Sequence, residues 1–162
     1  MKPAEVSTPS DREVLVKRSF DAPVNLVWQA YTDPALMRRW LTAMPGWSMP
    51  VCEMTTQVGG KYRWRWREEE KGVEFGFTGE MLEVALHSKI VHTQHFDAGN
   101  LGESMGGEPS IITVTFNETN GITNVATSIK YASKADRDAA MSTGMTDGME
   151  MSYKALDGVL AG

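Results

Sequence analysis

FDAPVNLVWQAYTDPALMRRW, residues 20–40, is the stretch that decides the fold of this chain. Pro23 and Pro34 each stand where the first residue of a helix is expected, because a missing N–H costs nothing at that position. Asp21 and Asp33 come shortly before them, and their side chains can accept hydrogen bonds from the free N–H groups of a first helical turn. The stretch therefore predicts two short helices that directly follow a first strand.

Alternating side chains predict that first strand over residues 13–20 and a series of strands after the helices. The clearest strand covers 61–67, where aromatic side chains occupy one face and basic side chains the other. We expect the basic row to meet Glu74 and Glu80 on the outer surface of the sheet. Loops are predicted for 45–50 and, as a mobile segment, for 97–110. The remaining strands are predicted at 51–56, 73–81, 90–96, 111–117 and 122–131.

The last part of the chain, residues 134–160, has the apolar spacing of a helix. Ser133 and Asp136 predict a capping box at its start. Gly144 and Gly148 each cost about 1 kcal/mol relative to alanine inside a helix. We therefore expect either close packing or open volume beside them, with the first half of the helix lining a cavity and the second half sealing the core. The predicted apolar stripe consists of Met141, Met145, Met149, Tyr153, Leu156 and Leu160.

Composition limits the class of protein. The chain has 162 residues, 41% hydrophobic and 23% charged, which is typical of one globular domain. Its formal net charge of −5 argues against nucleic-acid binding, and no apolar run is long enough to span a membrane. The polar start predicts a flexible tail over 1–12, followed by a single domain over 13–162. The single Cys52 excludes an internal disulfide, is compatible with a cytoplasmic location, and is expected to be a buried strand cysteine rather than a catalytic thiol.

Several motifs in order, spread over residues 13–161, resemble the SRPBCC (START-like) superfamily. Within it, the chain is most similar to homologues of the activator of the ninety-kilodalton heat-shock chaperone ATPase. The resemblance implies an α+β helix-grip fold, in which a curved antiparallel sheet of about six or seven strands surrounds a long C-terminal helix and two short helices follow the first strand. The motifs are RSFDAP at 18–23, VWQA at 27–30, TDP at 32–34, Trp40, VGG at 58–60, GEMLE at 79–83 and KIVHT at 89–93.

The resemblance also implies a hydrophobic cavity between the sheet and the terminal helix. Activities in the wider superfamily include lipid carriage, small-molecule sensing and aromatic polyketide cyclisation, and in eukaryotic relatives this type of domain helps to bind a chaperone. A fold alone does not choose among such functions. Three hypotheses follow, in order: a non-enzymatic binding module for a small hydrophobic or amphipathic molecule, an interaction protein for a chaperone ATPase, and a cyclase-like or hydrolytic enzyme. The oligomeric state is left open.

The predicted ligand-binding residues are large aromatic and methionine side chains together with one histidine as a polar handle. Plain core packing is the alternative interpretation of these side chains. Arg38 and Arg39 near the end of the second helix could meet an acidic ligand, although solvation at the surface is the preferred interpretation. The predicted set is Trp40, Trp64, Trp66, Phe77, Met81, His92, Met141, Met145 and Met149.

Catalytic and metal-binding chemistry has little support in the sequence. His92 and His95 point to opposite sides of a straight strand, so they cannot hold one metal ion together. An enzyme would need an inward pair such as His92 with Glu83. Glu83 points inward if its strand is straight, and outward if a bulge occurs near Leu82. No nucleophile elbow, phosphate loop or dinucleotide fingerprint is present, and no cofactor or metal is predicted.

Overall fold

The computed structural model describes residues 1–42, 44–99 and 108–162. The helices are α1 Val24–Thr32, α2 Pro34–Leu41, α3 Lys134–Met141 and α4 Met145–Ala161. The strands are β1 Glu5–Ser7, β2 Glu13–Phe20, β3 Trp47–Met54, β4 Lys61–Glu68, β5 Glu74–Ala85, β6 Lys89–Asp97, β7 Ser110–Thr119 and β8 Ile122–Lys130. They form one antiparallel sheet in the order β1-β2-β8-β7-β6-β5-β4-β3.

The predicted helix-grip fold is confirmed. The sheet is curved and not closed, since β1 and β3 lie at its two edges. Two short helices follow β2, and α4 packs on the inner side of the sheet. The sheet curves because neighbouring twisted strands rotate relative to one another, and one concave face is left to be covered by helices.

The sheet has one strand more than predicted, because Glu5–Ser7 pairs with β2. This strand falls within the stretch predicted as a flexible tail, so that prediction is wrong for these three residues. The predicted loop at 45–50 is also partly wrong. Strand β3 already begins at Trp47, and a bulge between Ser48 and Val51 accommodates Pro50 within an edge strand. In the predicted mobile loop, residues 100–107 lie outside the described residues.

The two short helices begin in different ways. At α2 the prediction is confirmed, because the Asp33 side chain accepts from the Ala35 N–H at 3.0 Å and Pro34 is the first helical residue. At α1 the predicted cap by Asp21 is wrong. The helix begins one residue after Pro23, and the Val24 N–H donates instead to the carboxylate of Glu118, at the distant end of β7, at 2.7 Å.

The predicted single C-terminal helix is divided into α3 and α4. The Ser133 half of the predicted capping box is confirmed, since the Asp136 N–H donates to Ser133 Oγ at 3.1 Å. The helix then stops, because Gly144 has a φ of +77°, in the left-handed region, and serves as the N-cap of α4. Left-handed backbone is accessible to glycine at little steric cost. Met141 therefore ends one helix while Met145 begins the next.

A buried arginine fixes the second half of α4 to the sheet. Arg18, on β2, is only 4% exposed. Its guanidinium donates to Asp157 at 2.8 Å and to Glu150 at 3.1 Å, both on α4. The hydrogen bond to Asp157 raises the pKa of Arg18, and the hydrogen bond to Glu150 raises it further. Desolvation by burial acts in the opposite direction but is outweighed. Together with the fully buried Leu156, these contacts anchor α4 over one half of the sheet.

Candidate functional site

A cavity of about 1180 Å³ lies between the inner face of the sheet and the helices. Its walls come from strands β3 to β8, from the end of α1, from α2 and α3, and from the first half of α4. The side chains that line it are mostly apolar. The expectation that the second half of the terminal helix seals the core agrees with the burial of Leu156, which does not line the cavity.

Strand alternation produces the aromatic wall of this cavity. Trp64 and Trp66 project from β4 on the same face, with ring centroids 6.3 Å apart. Phe77, on the neighbouring β5, meets Trp66 in an edge-to-face contact at 5.8 Å. From the opposite side α2 contributes Trp40, whose Nε1–H donates to the Ala30 carbonyl at 2.9 Å. The ring of Trp40 is therefore held in a fixed orientation.

Seven of the nine predicted site residues line the cavity, and two do not. Met81 is 1% exposed and belongs to the packed core, at the position of β5 opposite His92. Met141 ends α3 and packs against the core, since the turn after it separates it from α4. The seven that line the cavity are Trp40, Trp64, Trp66, Phe77, His92, Met145 and Met149.

Gly148 lies on the cavity side of α4. A Cβ atom built at this position would have no heavy atom within 4 Å outside the local backbone. Of the two explanations that the sequence offered for this glycine, close packing is therefore wrong, and open volume is what the structure contains. The helix passes the cavity here without filling it.

His92 is a buried histidine on β6, 6% exposed. Its Nδ1 lies 2.9 Å from the Thr93 carbonyl, and a carbonyl can only accept, so Nδ1 carries the hydrogen. Burial lowers the pKa of His92, which keeps the ring neutral near pH 7. The ring makes an edge-to-face contact with Tyr62 at 4.8 Å. Within the described chain nothing hydrogen-bonds Nε2, which is therefore an acceptor at the cavity wall.

Glu83 does not join His92. The pairing of β5 with β6 shifts register between Met81 and Glu83, which is the bulge that the sequence left as an alternative. The Glu83 side chain is 54% exposed and forms an ion pair with Lys89 at 3.3 Å. The pair that the enzymatic hypothesis required is therefore not assembled.

Among the residues that the structure describes, three at the cavity wall bury a polar atom without a hydrogen-bond partner: Tyr31 through its hydroxyl, Thr42 through Oγ1 and Trp64 through Nε1. Burial, together with nearby Tyr153, raises the pKa of Tyr31 well above its ordinary value. Tyr31 and Thr42 were missed as site residues. Tyr31 shares the helical stripe of α1, but nothing in the sequence shows that α1 and α2 border the same space as β4.

Other candidate groups lie away from the cavity or are inert. Arg38 is exposed and donates to the Met49 carbonyl at 3.3 Å, and Arg39 is exposed, so neither faces a ligand. Cys52 is buried on β3 as predicted, and burial raises the pKa of its thiol. The described ranges contain no group of three His, Cys, Asp or Glu side chains that could hold a metal ion. No helix in them is long and apolar enough to cross a membrane.

Comparison with known proteins agrees with the architecture. The sequence model of one family, described as activator of Hsp90 ATPase homolog 1-like protein, matches residues 21–161. A crystal structure from Rhodobacter sphaeroides has 29% identity and a TM-score of 0.88, with 99% of each chain covered. A Mycobacterium smegmatis protein has 21% identity and a TM-score of 0.86, covering 98% of this chain and 97% of its own. A Nitrosomonas europaea protein has 22% identity and a TM-score of 0.79, covering 95% of this chain and 97% of its own. No curated protein matches the sequence.

Proposed function

This chain belongs to the family of activator of Hsp90 ATPase homolog 1-like proteins, as its sequence motifs predicted, and from that premise we propose that it binds a small hydrophobic or amphipathic molecule without transforming it. The observation that supports this proposal most strongly is the open volume beside Gly148. Gly148 weakens a helix interior, and because it also lines the cavity, the open space beside it is room that a ligand can occupy.

The size and lining of the cavity support the same proposal. A volume of about 1180 Å³ is slightly larger than the roughly 300–1,000 Å³ of most small-molecule sites, so a small molecule has room there. Such sites combine apolar walls with a few polar groups that orient the ligand. Here Trp66 and Phe77 provide apolar wall, while His92 Nε2 supplies an acceptor. Without a ligand this acceptor has no partner among the described side chains, which is unfavourable at a largely apolar wall.

The proposal is tested by calorimetric titration with 2-naphthamide, an uncharged aromatic probe. Gly148→Leu places a side chain in the cavity, and we expect it to weaken binding at least about tenfold. Gly158→Leu is the matched control, because Gly158 is an exposed glycine of α4 that also has open space and lies outside the cavity. Unchanged affinity in a folded Gly148→Leu variant, or equal losses in both variants, would contradict binding in the cavity.

A second candidate function is action on a chaperone ATPase, and the family match is the observation that favours it. The ATPase rate of purified Hsp90 from the same host, measured with and without this protein, tests it. A concentration-dependent rise in the rate would support an activator function. The Gly148→Leu variant separates the two functions, since a surface interaction should survive filling of the cavity.

A further inference from the structure

The charged side chains of the cavity wall have one sign. Apart from histidine, the charged residues that line it are Glu108 and Asp136, both acidic. Within the described chain no lysine or arginine lines the cavity. The remaining residues, 43 and 100–107, add none, because their sequence contains neither lysine nor arginine. A buried anionic group would therefore find no lysine or arginine side chain at this wall.

The arginines of the flanking elements are engaged elsewhere. Arg65 points to the outer face of the sheet, where it contacts Asp97 at 3.0 Å. Arg18 is held between Glu150 and Asp157 on the other half of α4. Moving either guanidinium into the cavity would break an existing ion pair, and for Arg18 that pair is buried.

The polar group that His92 presents at the wall is uncharged. The ring of His92 packs against this aromatic wall, with its centroid 6.3 Å from that of Trp64, whose Nε1 is itself buried. His92 offers a lone pair at Nε2. A hydroxyl or primary amide can donate a hydrogen bond to this lone pair. A carboxylate can only accept, and it would be buried without a counter-charge.

We propose that the cavity selects uncharged hydrophobic molecules that carry a hydroxyl or amide group, and that it rejects carboxylates with the same carbon skeleton. This inference rests on the proposed binding function and names the class of ligand. It follows from the sign of the charged wall residues and from the unpaired acceptor that His92 presents at Nε2.

Two probes of equal shape test the selection. 2-Naphthamide and 2-naphthoate differ in charge and in hydrogen-bond donors but hardly in size. Calorimetric titration of the wild-type protein near neutral pH should give a Kd for 2-naphthoate that is at least about tenfold higher. Equal affinities, or tighter binding of the carboxylate, would overturn the inference while leaving the binding function intact. If both probes and naphthalene itself fail to bind, the binding function and the inference both fall.

A variant that adds a cation provides the converse test. Gln94 lines the cavity from β6, two residues from His92 on the same face, and is partly exposed. Gln94→Lys keeps a long polar side chain and supplies the missing charge. We expect the preference for 2-naphthamide to shrink at least about threefold, because the carboxylate now has a partner. If the ratio of the Kd values for 2-naphthoate and 2-naphthamide is unchanged in the folded variant, charge does not govern the selection. If the variant does not fold, the titration of the wild-type protein decides.

Discussion

The rings of Trp64 and His92 meet nearly edge to face, with centroids 6.3 Å apart and an interplanar angle of 74°. Trp64 lies on β4 and His92 on β6, so β5 separates them in the sheet. The contact is possible because all three strands direct these side chains to the same concave face. It places a neutral imidazole among aromatic rings, where its protonation is unfavourable.

Protonation of His92 should destabilise the protein. Its folded-state pKa lies below the ordinary value of 6.5, so at pH values under about 6.5 the unfolded chain binds more protons. The free energy of unfolding should therefore decrease as the pH falls from about 7 towards 5, the range in which histidine titrates. Urea unfolding of the His92→Gln variant should show a flatter dependence over this range. The exposed His95, changed to Gln, is the control, and an equal flattening there would contradict the assignment.

Truncation of Met145 should cost less than truncation of a packed residue on the same helix. Met145 borders the cavity, whereas Leu156 is fully buried. We expect Leu156→Ala to lose about 2–5 kcal/mol of unfolding free energy. For Met145→Ala we expect a loss of less than about 2 kcal/mol, because much of its surroundings is already open. Urea melts of both variants check this, and a full-sized loss at Met145 would show that its environment is packed.

The two glycines at the start of α4 should respond oppositely to alanine. Gly144 has a φ of +77°, and alanine there would be strained by about 1 kcal/mol. Gly148 is inside the helix with open space around its Cβ position, so alanine should stabilise by about 0.5–1 kcal/mol. Thermal unfolding of the two single variants measures both effects. A destabilising Gly148→Ala would mean that the space beside it is not open.

Removing the buried arginine should loosen α4. Arg18→Met leaves Glu150 and Asp157 without their partner, and both carboxylates are only partly exposed. We expect a loss of about 2–3 kcal/mol in a urea melt, less than for a fully buried pair because solvent reaches Asp157.

The matched control for this prediction neutralises the whole cluster. The triple variant Arg18→Met, Glu150→Gln, Asp157→Asn should recover more than half of the loss, since it leaves no unpaired charge. Glutamine also retains the oxygen that accepts from the Ala4 N–H at 3.0 Å. A triple variant as unstable as Arg18→Met alone would show that packing, and not charge, determines the effect.

Local patterns predicted most of the elements and much of the cavity wall. Alternation along 61–67 placed Trp64 and Trp66 on the inner face, and the outer arginines do meet Glu74, with Arg67 at 3.0 Å. The cap of α2 was predictable because Asp33 and its partner are neighbours in the chain. These features depend on interactions within a few residues, which sequence patterns encode directly.

The features that sequence analysis missed depend on distant partners. The cap of α1 comes from Glu118, 94 residues away. The direction of Glu83 depends on a bulge that forms against β6. The break before α4 depends on the left-handed conformation of Gly144. A glycine within a helical pattern of apolar residues does not by itself show whether the helix breaks or borders an open space.

The most direct measurement uses the methionine methyl groups as reporters in NMR spectra recorded during titration with 2-naphthamide. Met145 and Met149 line the cavity, whereas Met151 is 43% exposed on another face of α4 and Met1 is 55% exposed. We predict shifts and intermolecular NOEs at Met145 and Met149, with Met1 and Met151 unchanged. Absence of any change at Met145 and Met149, or changes confined to Met151 or Met1, would contradict a ligand site between the sheet and α4.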